Sequence, residues 1–223
     1  MENHMQAIQL FVQQKYKEAI PLLNVEAEKG NTEAQKILGM IYDYGMGVDS
    51  DYEKAFQYYM MAAEYDSSAQ YNIGFYYENG RGVEKNIQKA FEWYQKAAIA
   101  EDESAQIALG KMYQEGVAIS QNYEEAFNWY QKACNGEASH EAQYCIGYMY
   151  WQGLGTKQDF GKAFEYVSQS AQRGNPNAQW VLGQMYEAGQ GTDKNIEKAK
   201  ELYRKSAKQN HELALKSLDV LEK

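Results

Sequence analysis

The chain is short of the residues that usually announce a specialised chemistry. Its 223 residues hold two cysteines, two prolines and three histidines. Two cysteines exclude a disulfide-dense secreted scaffold. So few prolines, with 18 glycines spaced rather than clustered, exclude a disordered or fibrous composition. No apolar run approaches the roughly 20 residues a helix needs to cross a bilayer. Cations are also scarce: Lys and Arg number 22 against 31 Asp and Glu, a net charge of −9, and no basic run occurs. Nucleic acid and anionic membranes are therefore poor partners, and a basic partner is favoured. The opening MENHMQAIQLFVQQ lacks the apolar stretch of a secretory leader. A cytoplasmic location is expected, or a periplasmic one if a leader has been removed.

What the chain does have is a phrase written five times. It begins Ala-Gln and continues Leu/Ile-Gly-x-x-Tyr-x-x-Gly. The copies run Ala34…Leu38-Gly39…Tyr42…Gly45, Ala69…Ile73-Gly74…Tyr77…Gly80, Ala105…Leu109-Gly110…Tyr113…Gly116, Ala142…Ile146-Gly147…Tyr150…Gly153 and Ala178…Leu182-Gly183…Tyr186…Gly189. They recur every 35–37 residues, the period of a repeat array whose members pack on their neighbours.

Within one copy, Ala34, Leu38, Ile41 and Tyr42 fall on one helical stripe. Gly39 weakens that helix by about 1 kcal/mol relative to Ala, and its recurrence predicts a second helix crossing too closely for a side chain. Gly45 is a helix-ending glycine. Asp51, Asn86, Asn122, Asp159 and Asn195 are the matching N-caps of a second helix, whose apolar face carries Ala55, Phe56, Tyr59, Ala62 and Ala63. Gly174-Asn175-Pro176 reads as C′ glycine, N-cap and proline at N1. Each copy is thus a helical hairpin. Residues 1–31 read as a divergent first hairpin, with Pro21 near the start of its second helix. Five repeats follow at 32–67, 68–103, 104–140, 141–176 and 177–212, then a capping helix at 213–223: about 13 helices in a single all-α solenoid domain, 1–223. Ala118 replaces the second glycine of the third connection, which predicts a reshaped loop there.

The combined pattern, Ala-x-x-x-Leu-Gly-x-x-Tyr-x-x-Gly-x-Gly-Val…Asp-x-x-Lys-Ala-x-x-Trp/Tyr-x-x-Lys-Ala-Ala, resembles the Sel1-like repeat (SLR) family, relatives of the tetratricopeptide repeats. Lys89-Ala90-Phe91-Glu92-Trp93-Tyr94-Gln95-Lys96-Ala97-Ala98 is a near-ideal second helix for it. The resemblance implies a right-handed α-superhelix that acts as a scaffold or adaptor, with the first helix of each repeat lining a concave groove and no catalytic residues. Some secreted members carry a cysteine at the position of Cys134, bonded to another three residues before the Leu of Leu-Gly. Cys145 lies one residue before Ile146, about 200° away around the helix, so thiols rather than a disulfide are expected.

Positions two before, two after and five after the Leu/Ile of each phrase share a face. They change chemistry from repeat to repeat while the packing letters do not. On this face Asp43, Tyr71, Phe75, Glu78, Tyr144, Tyr148, Trp151, Trp180 and Glu187 are the candidate partner-binding residues, aromatic in the middle and acidic at the rim. Tyr and Trp are common interface anchors, and Tyr144, Tyr148 and Trp151 stand together.

Other signals carry little chemistry. The Gly-x-Gly pairs join helix to helix and lack the strand of a dinucleotide fingerprint. His4, His140 and His211 have no metal-ligand spacing, and no nucleophile motif lies beside a base. No catalytic residue, metal or cofactor is expected. The expected function is a non-enzymatic protein- or peptide-binding adaptor; the alternative is a dedicated inhibitor or immunity protein that neutralises a bacterial toxin or effector enzyme. Nothing in the sequence bears on oligomeric state.

Overall fold

The computed structural model describes residues 2–134 and 139–222. Residues 135–138, where the third repeat is expected to join the fourth, lie outside them. Among the described residues every regular element is a helix, thirteen in all. They are α1 (Glu2–Val12), α2 (Tyr16–Glu28), α3 (Thr32–Tyr44), α4 (Tyr52–Ala62), α5 (Ser67–Asn79), α6 (Ile87–Ile99), α7 (Glu103–Glu115), α8 (Tyr123–Ala133), α9 (His140–Gln152), α10 (Phe160–Gln172), α11 (Pro176–Ala188), α12 (Ile196–Ala207) and α13 (Glu212–Leu221). Their contacts form two compact units, one ending at Ala105 and one beginning at Gln106. In the first, α1 to α5 each pack on the next, and α5 on α6; in the second, the same succession runs from α8 to α13.

The connection inside each repeat is fixed by backbone and side chain together. The first helices end on left-handed glycines, with φ of 65° at Gly45, 68° at Gly80 and 69° at Gly153. The N-cap residue then hydrogen-bonds twice. Its backbone N–H donates to the carbonyl of the phrase's tyrosine, at 2.8 Å from Asp51 to Tyr42 and from Asn86 to Tyr77. Its side chain accepts from the third residue of the second helix, Lys54 at 3.0 Å and Lys89 at 2.9 Å. That lysine folds back over the same tyrosine ring, 4.9 Å from the centroid of Tyr42 and 5.1 Å from that of Tyr77. The recurring Tyr, Asp/Asn and Lys are therefore three parts of one turn.

The second glycine of each Gly-x-Gly meets the start of the preceding repeat's second helix. A Cβ on Gly82 would lie 2.5 Å from the backbone of Tyr52, and Gly155 and Gly191 abut the backbones of Tyr123 and Phe160. Ala118 occupies this position in repeat three with φ 64°, matching Gly82 at 63° and Gly47 at 72°. The expected reshaping of that loop does not occur: alanine is held in the left-handed region because the flanking turn, closed by Asn122 N–H on the Tyr113 carbonyl at 2.8 Å, is intact.

Consecutive repeats are joined by the Gln of Ala-Gln. Gln35 donates to the Ala27 carbonyl at 3.0 Å, Gln70 to Ala63 at 2.6 Å and Gln179 to Ala171 at 3.3 Å. Each adds a side-chain donor to a carbonyl at the end of the previous helix, where Ala27 and Ala171 also accept from the backbone N–H of Gly30 and Gly174. In the first hairpin, Ala19, Leu23 and Ala27 are buried along α2 as the Ala, Tyr and Ala of later second helices are. Pro21 is not near the start of this helix as expected but is its sixth residue, inside it. The exposed ring costs α2 the bond that a sixth-position N–H would make to the Lys17 carbonyl.

Relieving the left-handed alanine with Ala118→Gly is expected to raise stability by about 0.5–1 kcal/mol in urea unfolding. The same change of volume in the opposite direction at Gly110, which lies under the Tyr130 ring, is expected to cost about 1–3 kcal/mol as Gly110→Ala.

Candidate functional site

The second helix presents a tyrosine to the glycine of the first. A Cβ on Gly39, Gly74 or Gly183 would lie 2.5–2.6 Å from the ring of Tyr59, Tyr94 or Tyr203, and Tyr130 covers Gly110 in the same way. These four tyrosines are at most 1% exposed. In three repeats the hydroxyl continues across the first helix to the residue five after the Leu/Ile. Tyr94 donates to Glu78 Oε2 at 2.6 Å, Tyr130 to Gln114 Oε1 at 3.0 Å and Tyr203 to Glu187 Oε2 at 2.7 Å. Burial, reinforced by the carboxylates in Tyr94 and Tyr203, pushes these phenols above their ordinary value, so they remain donors.

This latch places several of the expected site residues. Glu78 and Glu187 are half-buried acceptors of a structural hydrogen bond. Asp43, one methylene shorter, is buried and pairs with Arg81 Nη2 at 3.4 Å. The Arg81 guanidinium lies 4.2 Å from the Tyr52 ring centroid and 5.8 Å from that of Phe75. Tyr71, half-buried, has its ring centroid 5.5 Å from that of Tyr94. The acidic rim in these repeats is thus engaged within the protein.

Repeat four departs from the others. Val167 stands where the other second helices place tyrosine, and Trp151 stands where they meet an acid or amide. Tyr144, Tyr148 and Trp151, each half-buried, form a continuous ladder along α9, with ring centroids 6.0 and 5.9 Å apart. The Trp151 indole donates to Gln190 Oε1 at 2.7 Å. Trp180, also half-buried, donates to Ser217 Oγ at 3.2 Å and lies 5.6 Å from the His211 ring. Lys111 and Glu141 form an ion pair beside the ladder's repeat.

Two contributors escaped the sequence reading. Arg81 and Gln190 are the middle residues of Gly-x-Gly connections, and each reaches back to the latch position of the preceding repeat. Their variability, set between fixed glycines, was the only available signal.

The cysteines and two of the histidines have structural surroundings. Cys134 and Cys145 are not joined by a disulfide; Cys145 is buried, and desolvation pushes its thiol up to about 12. No group of three or more potential metal ligands occurs among the described residues. His4 lies 3.2 Å from Glu33 Oε2. His211 caps α13: its Nδ1 accepts from Ala214 N–H at 3.2 Å, and Nε2 faces Asn177 Oδ1 at 3.0 Å. Burial lowers its pKa.

The Sel1 repeat profile matches residues 32–64, 67–102, 103–137, 140–175 and 176–211. A Sel1 repeat protein from Oxalobacter formigenes is 35% identical, with a TM-score of 0.82 over 92% of this chain and 84% of its own. The protective antigen c5321 of uropathogenic Escherichia coli, described as displaying an SLR fold, is 31% identical with a TM-score of 0.80. That likeness covers 90% of this chain, which spans only 43% of the antigen's length. The immunity protein Pa5087 of Pseudomonas aeruginosa shares the fold alone, at 22% identity and a TM-score of 0.51 over 82% of this chain and 68% of its own. No curated protein matches the sequence.

Removing a latch hydroxyl by Tyr94→Phe strands the Glu78 acceptor and is expected to cost about 1–3 kcal/mol in urea unfolding. A double-mutant cycle with Glu78→Ala should return a favourable coupling. At α13, the folded state holds His211 neutral whereas the unfolded chain binds its proton near pH 6.5. The cap is therefore fully effective above that value and weakens as pH falls toward the lowered folded pKa. Amide protection factors in α13 should drop between pH 7.5 and 5.5, and His211→Asn, which caps without titrating, should abolish the drop.

Proposed function

The chain belongs to the Sel1 repeat family, and we propose that it is a non-enzymatic adaptor that anchors a partner protein on the aromatic face of α9. The Sel1 repeat fold is in general a protein–protein interaction module, and proteins built from it are generally non-catalytic scaffolds. Among the described residues no helix is long and apolar enough to cross a membrane.

The observation that carries the reading is the missing latch in repeat four. Elsewhere the position five after the Leu/Ile is committed to holding its own hairpin or pairing with Arg81. In repeat four it joins an aromatic ladder in which Tyr148 touches other rings on both sides. Half-exposed, mutually supported aromatics lose little freedom on binding, which suits them to be anchors. Asp43, Tyr71, Phe75 and Glu78 are secondary under this reading, because their polar and aromatic groups are already engaged. The inhibitor alternative draws on the net charge of −9, which would steer a cationic target.

Affinity capture from the native cell with the wild type and with Tyr148→Ala tests the proposal. The variant is expected to melt within a few degrees of the wild type and to lose its captured partners. Retention of the same partners would overturn it. Several partners of differing stoichiometry fit an adaptor; one tight stoichiometric partner fits an inhibitor. Trp151→Ala is a poorer probe, because losing the Gln190 bond and ring packing is expected to cost about 2 kcal/mol by itself.

A further inference from the structure

We infer that the segment held by α9 is an uncharged, proline-containing stretch in polyproline II conformation, with prolines three residues apart; this rests on the reading of α9 as the binding face.

Three observations select this chemistry. The first is charge. Around the ladder, Lys111 is paired with Glu141, Glu187 is bonded by Tyr203, and the neighbouring latch and connection positions are Gln114 and Gln190. On this stripe of repeats three to five Lys111 is matched by Glu141, and Glu187, which keeps its charge while accepting from Tyr203, is the one carboxylate without a cation, so a strongly basic segment finds a single counter-charge there. The second is hydrogen bonding. Among the described residues neither the Tyr144 nor the Tyr148 hydroxyl has a hydrogen-bond partner, although both rings are half-buried. The interior of a helical ligand offers such donors only its side chains, because its backbone carbonyls are internally bonded. A strand needs a sheet edge, and no strand occurs among the described residues. A polyproline II segment has no internal hydrogen bonds and presents its carbonyls free. The third is spacing. Tyr144 and Trp151 are seven residues apart, about 10.5 Å along the helix axis. One polyproline II turn rises about 9.3 Å. Prolines at i and i+3 can therefore sit on Tyr144 and Trp151, with Tyr148 between them donating to an intervening carbonyl. Aromatic-lined grooves with hydrogen-bond donors between the rings are the general solution for such ligands.

The full chain is titrated with three synthetic peptides: an uncharged P-x-x-P peptide, an amphipathic helical peptide and a Lys/Arg-rich peptide. Binding is read from the ring resonances of Tyr144, Tyr148 and Trp151. The expected result is saturable binding of the proline peptide alone, weakened about tenfold or more by the double variant Tyr144→Phe, Tyr148→Phe. That variant keeps both rings and removes only unpaired hydroxyls, so its melting temperature should not move. Undiminished binding by the double variant overturns the inference. So does a shift of the α9 rings by the helical or basic peptide instead of the proline peptide, an outcome that leaves α9 as the binding face. If no peptide moves these rings, the inference falls, and the face itself stands or falls on the Tyr148→Ala capture experiment.

Discussion

Everything in this fold depends on how closely the second helix of each repeat approaches the first. In four of the five repeats the approach is set by a buried tyrosine lying on a glycine, at a distance no Cβ could tolerate, and in repeat four by Val167 on Gly147. Glycine in mid-helix costs about 1 kcal/mol, and burying the ring offsets that with about 1.5–3 kcal/mol. The contact does more than stabilise. It brings the phenol hydroxyl across the first helix, where it selects an acceptor five residues past the Leu/Ile. The same closeness lets the Asp/Asn–Tyr–Lys turn close and lets Gln cap the preceding repeat.

The fixed letters of the repeat were legible because each solves a local problem with few solutions. Left-handed backbone calls for Gly45 and Gly80, N-caps call for Asp51 and Asn86, and a close crossing calls for Gly39. The N-cap at Asn175 followed by Pro176 was readable for the same reason, and the structure has Asn175 accepting from Ala178 N–H at 3.0 Å. What was not legible depended on reach across space. Helical spacing put Glu78 and Glu187 on the variable face, but only the position of Tyr94 and Tyr203 reveals that they are engaged. The Asp43–Arg81 pair joins residues 38 apart in the chain, which no local pattern anticipates. Ala118 misled for the converse reason: a residue that prefers other backbone regions is carried through the turn by the bonds on either side of it.

The latch also explains why one repeat is chemically unlike the rest. Where Val167 replaces tyrosine there is no hydroxyl to satisfy, and the acceptor position is released from its structural duty. A tryptophan occupies it and completes the ladder of α9. The surface proposed to bind a partner is in this sense the place where the internal hydrogen-bonding scheme is left open, and the Tyr144 and Tyr148 hydroxyls, without a hydrogen-bond partner among the described residues, are its free ends. The scaffold letters, silent about ligand identity, mark by their local failure the face proposed to accommodate a ligand.

A photocrosslinking amino acid placed at Tyr148, and separately at exposed Gln131 on α8, tests this most directly in the native cell. The account predicts a covalent adduct with a partner protein from position 148 and none from position 131. An adduct from 131 with none from 148 would place recognition on the second helices and contradict it.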